Sequence, residues 1–101
     1  MSYRFEIRAE ASAHIAEAFS WYEAQRPGLG WQLRDELDAA FTLLKRAPKA
    51  GPEVYRQLRR VLLDHFPYAV YYSLSEDVIA IRAVIHTRRH PKVWRRYARD
   101  A

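Results

Sequence analysis

The sequence predicts an α+β fold in which an antiparallel helical hairpin lies on one face of a twisted sheet, in the order β-α-α-β-β-β. Three observations predict it. Apolar residues recur at every second position near the N-terminus, then with the 3.6-residue period of a helix, then at every second position again. The two helical stretches carry matching apolar stripes and are joined only by Pro27-Gly28-Leu29-Gly30, a link short enough to force the helices back on each other. The second half holds three runs of β-branched and aromatic residues divided by turns of hairpin length.

Residues 3–8 place Tyr3, Phe5 and Ile7 on one face and Arg4, Glu6 and Arg8 on the other, which predicts a short half-buried strand. From Ala11 to about Arg26, Ala11, Ile15, Ala18, Phe19 and Tyr22 form one helical stripe. Leu33, Leu37, Ala40, Phe41 and Leu44 repeat it, and the second helix ends before Pro48, so the hairpin covers about 11–46. Residues 54–63, 67–74 and 78–86 then read as a three-stranded antiparallel meander. In the last strand strict alternation puts Ile79, Ile81, Ala83 and Ile85 on one face, and Val78, Ala80, Arg82, Val84 and His86 on the other. After Pro91 a short basic, amphipathic segment with Val93, Trp94 and Tyr97 caps one end. A chain of 101 residues and 12.0 kDa without repeats or linkers is one domain, residues 1–101. Size scaling gives it about 6,000 Å² of exposed surface.

The absence of cysteine excludes a disulfide scaffold, a thiolate metal site and a cysteine nucleophile. No apolar run approaches the roughly 20 residues of a membrane span, and the opening residues lack a signal peptide's apolar stretch, so a cytoplasmic location is expected. The net charge of +5 is unevenly placed. Residues 1–81 carry 10 basic and 11 acidic groups, whereas Arg82, Arg88, Arg89, Lys92, Arg95, Arg96 and Arg99 face Asp100 alone in residues 82–101. A basic end on a neutral body points to a polyanionic or acidic partner, against the plainer reading of a solvated terminus. Direct nucleic-acid binding is secondary to protein partners, and no membrane partner is expected.

Phosphate-cradling glycine loops and serine nucleophile elbows are missing. His86 and His90 lie among Arg88, Arg89 and Lys92, whose charge opposes a dication, so no metal or other cofactor is expected. His14, on the polar side of the first helix, and His65, in a turn, read as surface residues. The run from Ile85 to Arg96, joined by Arg82, admits two readings. As a catalytic site for RNA cleavage, His86 is the base, Arg88 or Arg89, joined by Arg82, stabilises the phosphorane, and Tyr97 is a distant acid. As a docking surface, His86, Arg88, Arg89, Trp94, Arg95 and Arg96 contact a target without chemistry. The run holds no carboxylate to orient the histidine, which favours docking. Trp21 and Trp31 flank their stripes, where tryptophans complete a core rim or meet a partner.

The chain resembles the ParE/RelE superfamily, the toxin halves of bacterial type II toxin–antitoxin pairs. Three stretches carry the resemblance: the first helix running through Trp21-Tyr22-Glu23 into Pro27-Gly28-Leu29-Gly30, then Phe66-Pro67-Tyr68 leading to Val70-Tyr71-Tyr72, and Val84-Ile85-His86-Thr87-Arg88-Arg89 followed by Pro91 and Trp94. RNA-cleaving members similar to RelE place a catalytic arginine where the third strand begins. Phe66-Pro67-Tyr68 stands there instead, in the form of the ParE branch, whose characterised members poison DNA gyrase. The resemblance implies a toxin acting by binding, with DNA gyrase the favoured target. A ribosome-dependent endoribonuclease is the alternative, and a regulatory module that has lost toxicity a third. It also implies a cognate antitoxin bound in a heterocomplex such as a heterotetramer. Its apolar anchors are expected at Trp21 and Trp31, and its carboxylates at Arg59, Arg60 and Arg88.

Overall fold

The computed structural model describes residues 3–98. Its elements are β1 (Arg4–Ile7), α1 (Ala9–Gln25), α2 (Leu29–Arg46), β2 (Glu53–Tyr55), β3 (Leu58–Leu62), β4 (Tyr68–Ser75), β5 (Val78–His86) and α3 (Pro91–Arg95), the last continued by a 3₁₀ turn over Arg96–Ala98. The five strands form one sheet in the order β1-β5-β4-β3-β2, with β1 parallel to β5 and the other pairs antiparallel. The chain exposes 6544 Å², near the value its mass predicts. The α+β class and the helical hairpin follow the sequence reading. The strand expected over 54–63 is instead a hairpin, so the meander has four strands. Arg56 and Gln57 turn it with φ of +45° and +70°, the left-handed pair of a two-residue β-turn. Their side chains carry no glycine or asparagine signal for such a turn; the Glu53 carboxylate holds it by accepting the Gln57 N–H at 3.0 Å.

Two cores flank the sheet. Between sheet and hairpin, Ala11, Ile15, Leu33, Leu37, Phe41 and Leu44 pack on Val70, Tyr72, Ile79, Ile81 and Val84. On the opposite face α3 and its 3₁₀ turn cover Leu58, Ala69, Tyr71, Ala83 and Ile85 with Trp94, Tyr97 and Ala98. Trp94 stacks on Tyr71 with centroids 5.1 Å apart and planes 17° from parallel. The C-terminal segment therefore closes a second core rather than capping one end.

That division requires a change of phase within β5. Tyr71 pairs with Ala83 but its neighbour Tyr72 pairs with Ile81, so Arg82 is the extra residue of a β-bulge. Strict alternation from Ile79 to Ile85 does not hold. Ile79 and Ile81 face the helices, Ala83 and Ile85 face α3, and Val84 returns to the helix side. Two residues on, His86 follows Val84 onto that side, edge-on to the Tyr68 ring. Arg82, expected on an outer face, is buried at the bulge.

Polar ties fix the connections. The Glu23 carboxylate accepts the N–H groups of Gly28 at 2.8 Å and Gly30 at 2.9 Å, giving the start of α2 a cap supplied by α1. Gly28 has φ of +94°, and a Cβ on Gly30 would stand 2.8 Å from the Phe19 carbonyl oxygen. Glycine at 28 allows the left-handed turn, and glycine at 30 lets the helices cross closely. The buried Tyr72 hydroxyl donates to the Pro48 carbonyl at 2.7 Å and accepts the Gly51 N–H at 2.9 Å, anchoring the loop that leads from α2 into the sheet.

Candidate functional site: a groove at the open edge of the fifth strand

β1 ends at Ile7, so β5 beyond Ile81 lacks a neighbouring strand on that side. Arg8 makes the last backbone contact, donating its N–H to Ile81 O at 3.0 Å. Further along, the Val84 N–H is accepted by Nδ1 of His14, from α1, at 3.2 Å. A side chain thus satisfies a strand donor that would otherwise be unpaired. With Nδ1 accepting, the neutral ring carries its proton on Nε2, which lies 3.5 Å from the Tyr97 hydroxyl. His14 joins α1, β5 and the C-terminal segment, and it is not the surface residue expected. Its position had a signal: it lies three residues after Ala11 and four before Ala18, on the flank of the buried stripe. Burial holds its pKa below the ordinary value; Glu10 and Glu17 oppose this, and Arg96 and Arg89 add to it.

Around this junction lies a groove of about 640 Å³, bounded by α1, the ends of β4 and β5, and the C-terminal segment. Trp21, Tyr22, Tyr68 and His86 form one aromatic side, with successive ring centroids 4.9, 6.1 and 5.3 Å apart. Arg89, Arg96, Glu17 and the Tyr97 ring complete the polar lining. Arg96 reaches Glu10 at 3.3 Å, with its guanidinium 5.0 Å from the Tyr97 centroid. Burial raises the pKa of the Tyr97 phenol, and of Tyr68 and Tyr22 beside it.

Three residues of the cleavage reading, His86, Arg89 and Tyr97, line this groove, and Arg82 is buried in the strand that forms its floor. The first and last are poorly set for proton transfer. His86 Nδ1 accepts the Arg88 N–H at 3.1 Å, so the neutral ring has no free lone pair to take a hydroxyl proton. Tyr97 is 6% exposed and its raised pKa makes it a weaker acid.

The residues of the docking reading separate into two groups. Arg88 and Arg89 are exposed and His86 is half-buried at the groove. Arg95 lies over the Tyr55 and Trp94 rings. Trp94 is buried against Tyr71, so its ring is core and not contact surface. Arg99 lies outside the described residues.

Trp21 and Trp31 are 58% and 60% exposed and do not complete a core rim. They also belong to different places. Trp21 stands at the basic groove, whereas Trp31 packs edge-on against Phe19 in a second groove of about 440 Å³ between α1 and α2, with Ile7, Phe41, Arg34 and Asp38. Arg59 and Arg60 do not share a face, because successive strand residues point to opposite sides. Arg59 donates to the Gly51 carbonyl at 2.7 Å, while Arg60 lies over Tyr71 and Trp94 on the other face.

His65 is exposed as expected, and its Nδ1 meets the Glu36 carboxylate at 2.6 Å. The other Glu36 oxygen accepts the Asp64 and His65 N–H groups, each at 3.0 Å. Burial opposes ionisation of Glu36, but these bonds from His65 and Asp64 outweigh it and hold the carboxyl below its ordinary range. Among the described residues no group of three His, Cys, Asp or Glu side chains converges on a metal position. No helix among them is long and apolar enough to cross a membrane.

A family model described as the ParE toxin of the type II toxin–antitoxin system parDE matches residues 5–91. The chain is 26% identical over 99 residues to Toxin ParE2 of Mycobacterium tuberculosis, across 90% of this chain and 88% of that protein, in both the CDC 1551 / Oshkosh and the ATCC 25618 / H37Rv strains. Its fold superposes on a chain of the chromosomal ParDE TA system from P. aeruginosa with a TM-score of 0.77 at 13% identity, covering 86% of this chain and 98% of that one. The match of that family model over residues 5–91, nearly all of the described chain, places this protein in the ParE toxin family of type II toxin–antitoxin systems.

Proposed function

We propose that this ParE-family toxin inhibits its target by binding, with DNA gyrase as that target, and that an antitoxin neutralises it. The observation that carries the binding reading is the state of His86. Its one available lone pair is held by the Arg88 N–H, inside a site whose other proton carrier, Tyr97, is buried. The side chains left accessible at the groove and beyond it, Arg88, Arg89, Arg95 and Arg96, are cations suited to holding an anionic surface. The gyrase assignment rests on the Phe66-Pro67-Tyr68 form and on family membership. Purified protein should inhibit gyrase supercoiling and leave messenger RNA intact in primer extension after induction. Codon-positioned cleavage with unaffected supercoiling would overturn this in favour of the endoribonuclease, the reading supported by His86, Arg89 and Tyr97 lining one groove.

For the antitoxin, the groove between α1 and α2 suits an amphipathic helix, with exposed Trp31 and Ile7 offering apolar anchors. Arg59 and Arg60 point to opposite faces, so one antitoxin segment reaches both only by wrapping the β2–β3 edge. Truncating Trp31 should loosen a co-purified pair; unchanged affinity would move the contact elsewhere.

A further inference from the structure

We infer that the groove at the open edge of β5 binds a nucleotide unit of single-stranded nucleic acid, holding it without cleaving it. This goes beyond the gyrase reading, since the groove needs no other protein to form.

Stacking and charge meet here as single-strand binding requires. Trp21, Tyr22, Tyr68 and His86 make an unbroken series of rings along one side. The indole of Trp21 lines the groove with 58% of its surface exposed, leaving area for a base to stack on. Arg89 and Arg96 line the same groove, Arg96 with its guanidinium on Glu10 and Tyr97, and arginine has the geometry for bidentate phosphate contact. A volume of about 640 Å³ falls within the range of small-ligand sites. Beside the groove, exposed Arg88 adjoins Arg89 in the chain, and no acidic residue lies between Arg82 and Arg96. Adjacent arginines beside a ring series suit a phosphate with its attached base better than a single anion. An acidic peptide would meet the arginines but leave the ring series without planar partners. The Nδ1 lone pair of His86, engaged by the Arg88 N–H, leaves the bound strand intact.

Glu17 also lines the groove. Its carboxylate opposes an anionic ligand, which makes its removal a test of sign.

Fluorescence anisotropy of labelled oligo-dT and oligo-rU ten-mers, titrated with the purified full-length chain in the absence of gyrase, tests the inference. Binding should weaken with salt, with a log–log slope of about −0.7 for each phosphate neutralised. Trp21→Ala should cost about tenfold or more in affinity. Arg89→Gln should weaken binding and flatten the slope by about 0.7, and Glu17→Gln should tighten binding. Leu62→Ala, equally exposed but outside both grooves, should leave oligonucleotide affinity unchanged. All four positions are exposed, so loss of the fold is not the expected source of any effect. Equal affinity for DNA and RNA supports recognition by base face and phosphate; preference for RNA supports added contact with the 2′-hydroxyl. Absence of binding at low salt, equal losses from Trp21→Ala and Leu62→Ala, or equal competition by polyglutamate would each overturn it. Oligonucleotide binding without gyrase inhibition would keep this site and discard the gyrase target.

Discussion

Trp94 separates a core role from a contact role, and the two give opposite outcomes on truncation. The indole is 8% exposed and stacks on Tyr71 at 5.1 Å, with the guanidinium groups of Arg60 and Arg95 each 5.8 Å from its centroid. Replacing a buried aromatic by alanine costs about 3–5 kcal/mol, and the stacked pair favours the upper part of that range. A domain of this size is stable by about 5–15 kcal/mol in all. Each kcal/mol moves Tm by about 4–8 °C, so we predict that Trp94→Ala lowers Tm by at least about 12 °C. Trp94→Phe keeps a stacked ring and should lose less than half as much. Arg95→Ala, removing an exposed cation from the same ring, should cost no more than about 1 kcal/mol. Thermal and urea melts followed by circular dichroism measure all three. A Trp94→Ala variant that melts within about 2 °C of the parent yet loses toxicity would refute the core assignment and restore Trp94 to the contact surface.

Glu23→Ala should destabilise the chain by about 1–3 kcal/mol, since it leaves the Gly28 and Gly30 N–H groups without their carboxylate; urea midpoints against Glu17→Ala, on the same helix, check this. Tyr72→Phe should cost about 1–3 kcal/mol by stripping the Gly51 N–H and the Pro48 carbonyl of their shared hydroxyl, and hydrogen exchange should quicken at residues 48–51 first. Stability should fall as pH drops below about 6.5, because His14 has a lowered folded pKa and the unfolded chain takes up its proton first. The contribution is complete above that value, and His14→Gln should flatten this limb of a pH–stability curve. A second loss should follow below about pH 4.5, where the depressed Glu36 carboxyl gains its proton in the unfolded chain first; Glu36→Gln should remove it.

The helical hairpin was legible because its information is local: all ten stripe residues are buried or half-buried. What escaped depends on partners distant in sequence. The Arg56-Gln57 turn uses left-handed backbone at residues without a turn signature. The Arg82 bulge breaks a flawless alternation of apolar residues, and only pairing with Tyr71 and Tyr72 reveals it. That one inserted residue turns His86 from the outer face toward the helices, and so decides which groove it serves. His14 looked polar and exposed because its partners, Val84 and Tyr97, lie 70 and 83 residues away. Arg88 and Arg89 were placed correctly in the open, since a run of charge beyond the last strand has no core to enter. Trp21 and Trp31 were rightly set beside their stripes, but their assignment to separate grooves depends on how α1 and α2 cross.

The parallel pairing of β1 with β5 also orders events as the chain is made. Arg4 finds its partner at Val78, and every other strand precedes β5 in the chain. Until β5 emerges, the first strand has no neighbour, β4 lacks one of its two, and α1 has no sheet edge for His14 to close. Contacts of such long reach form late and slowly. A growing chain that stops short of residue 78 lacks the floor of the basic groove, so the groove forms only after the last strand has been made.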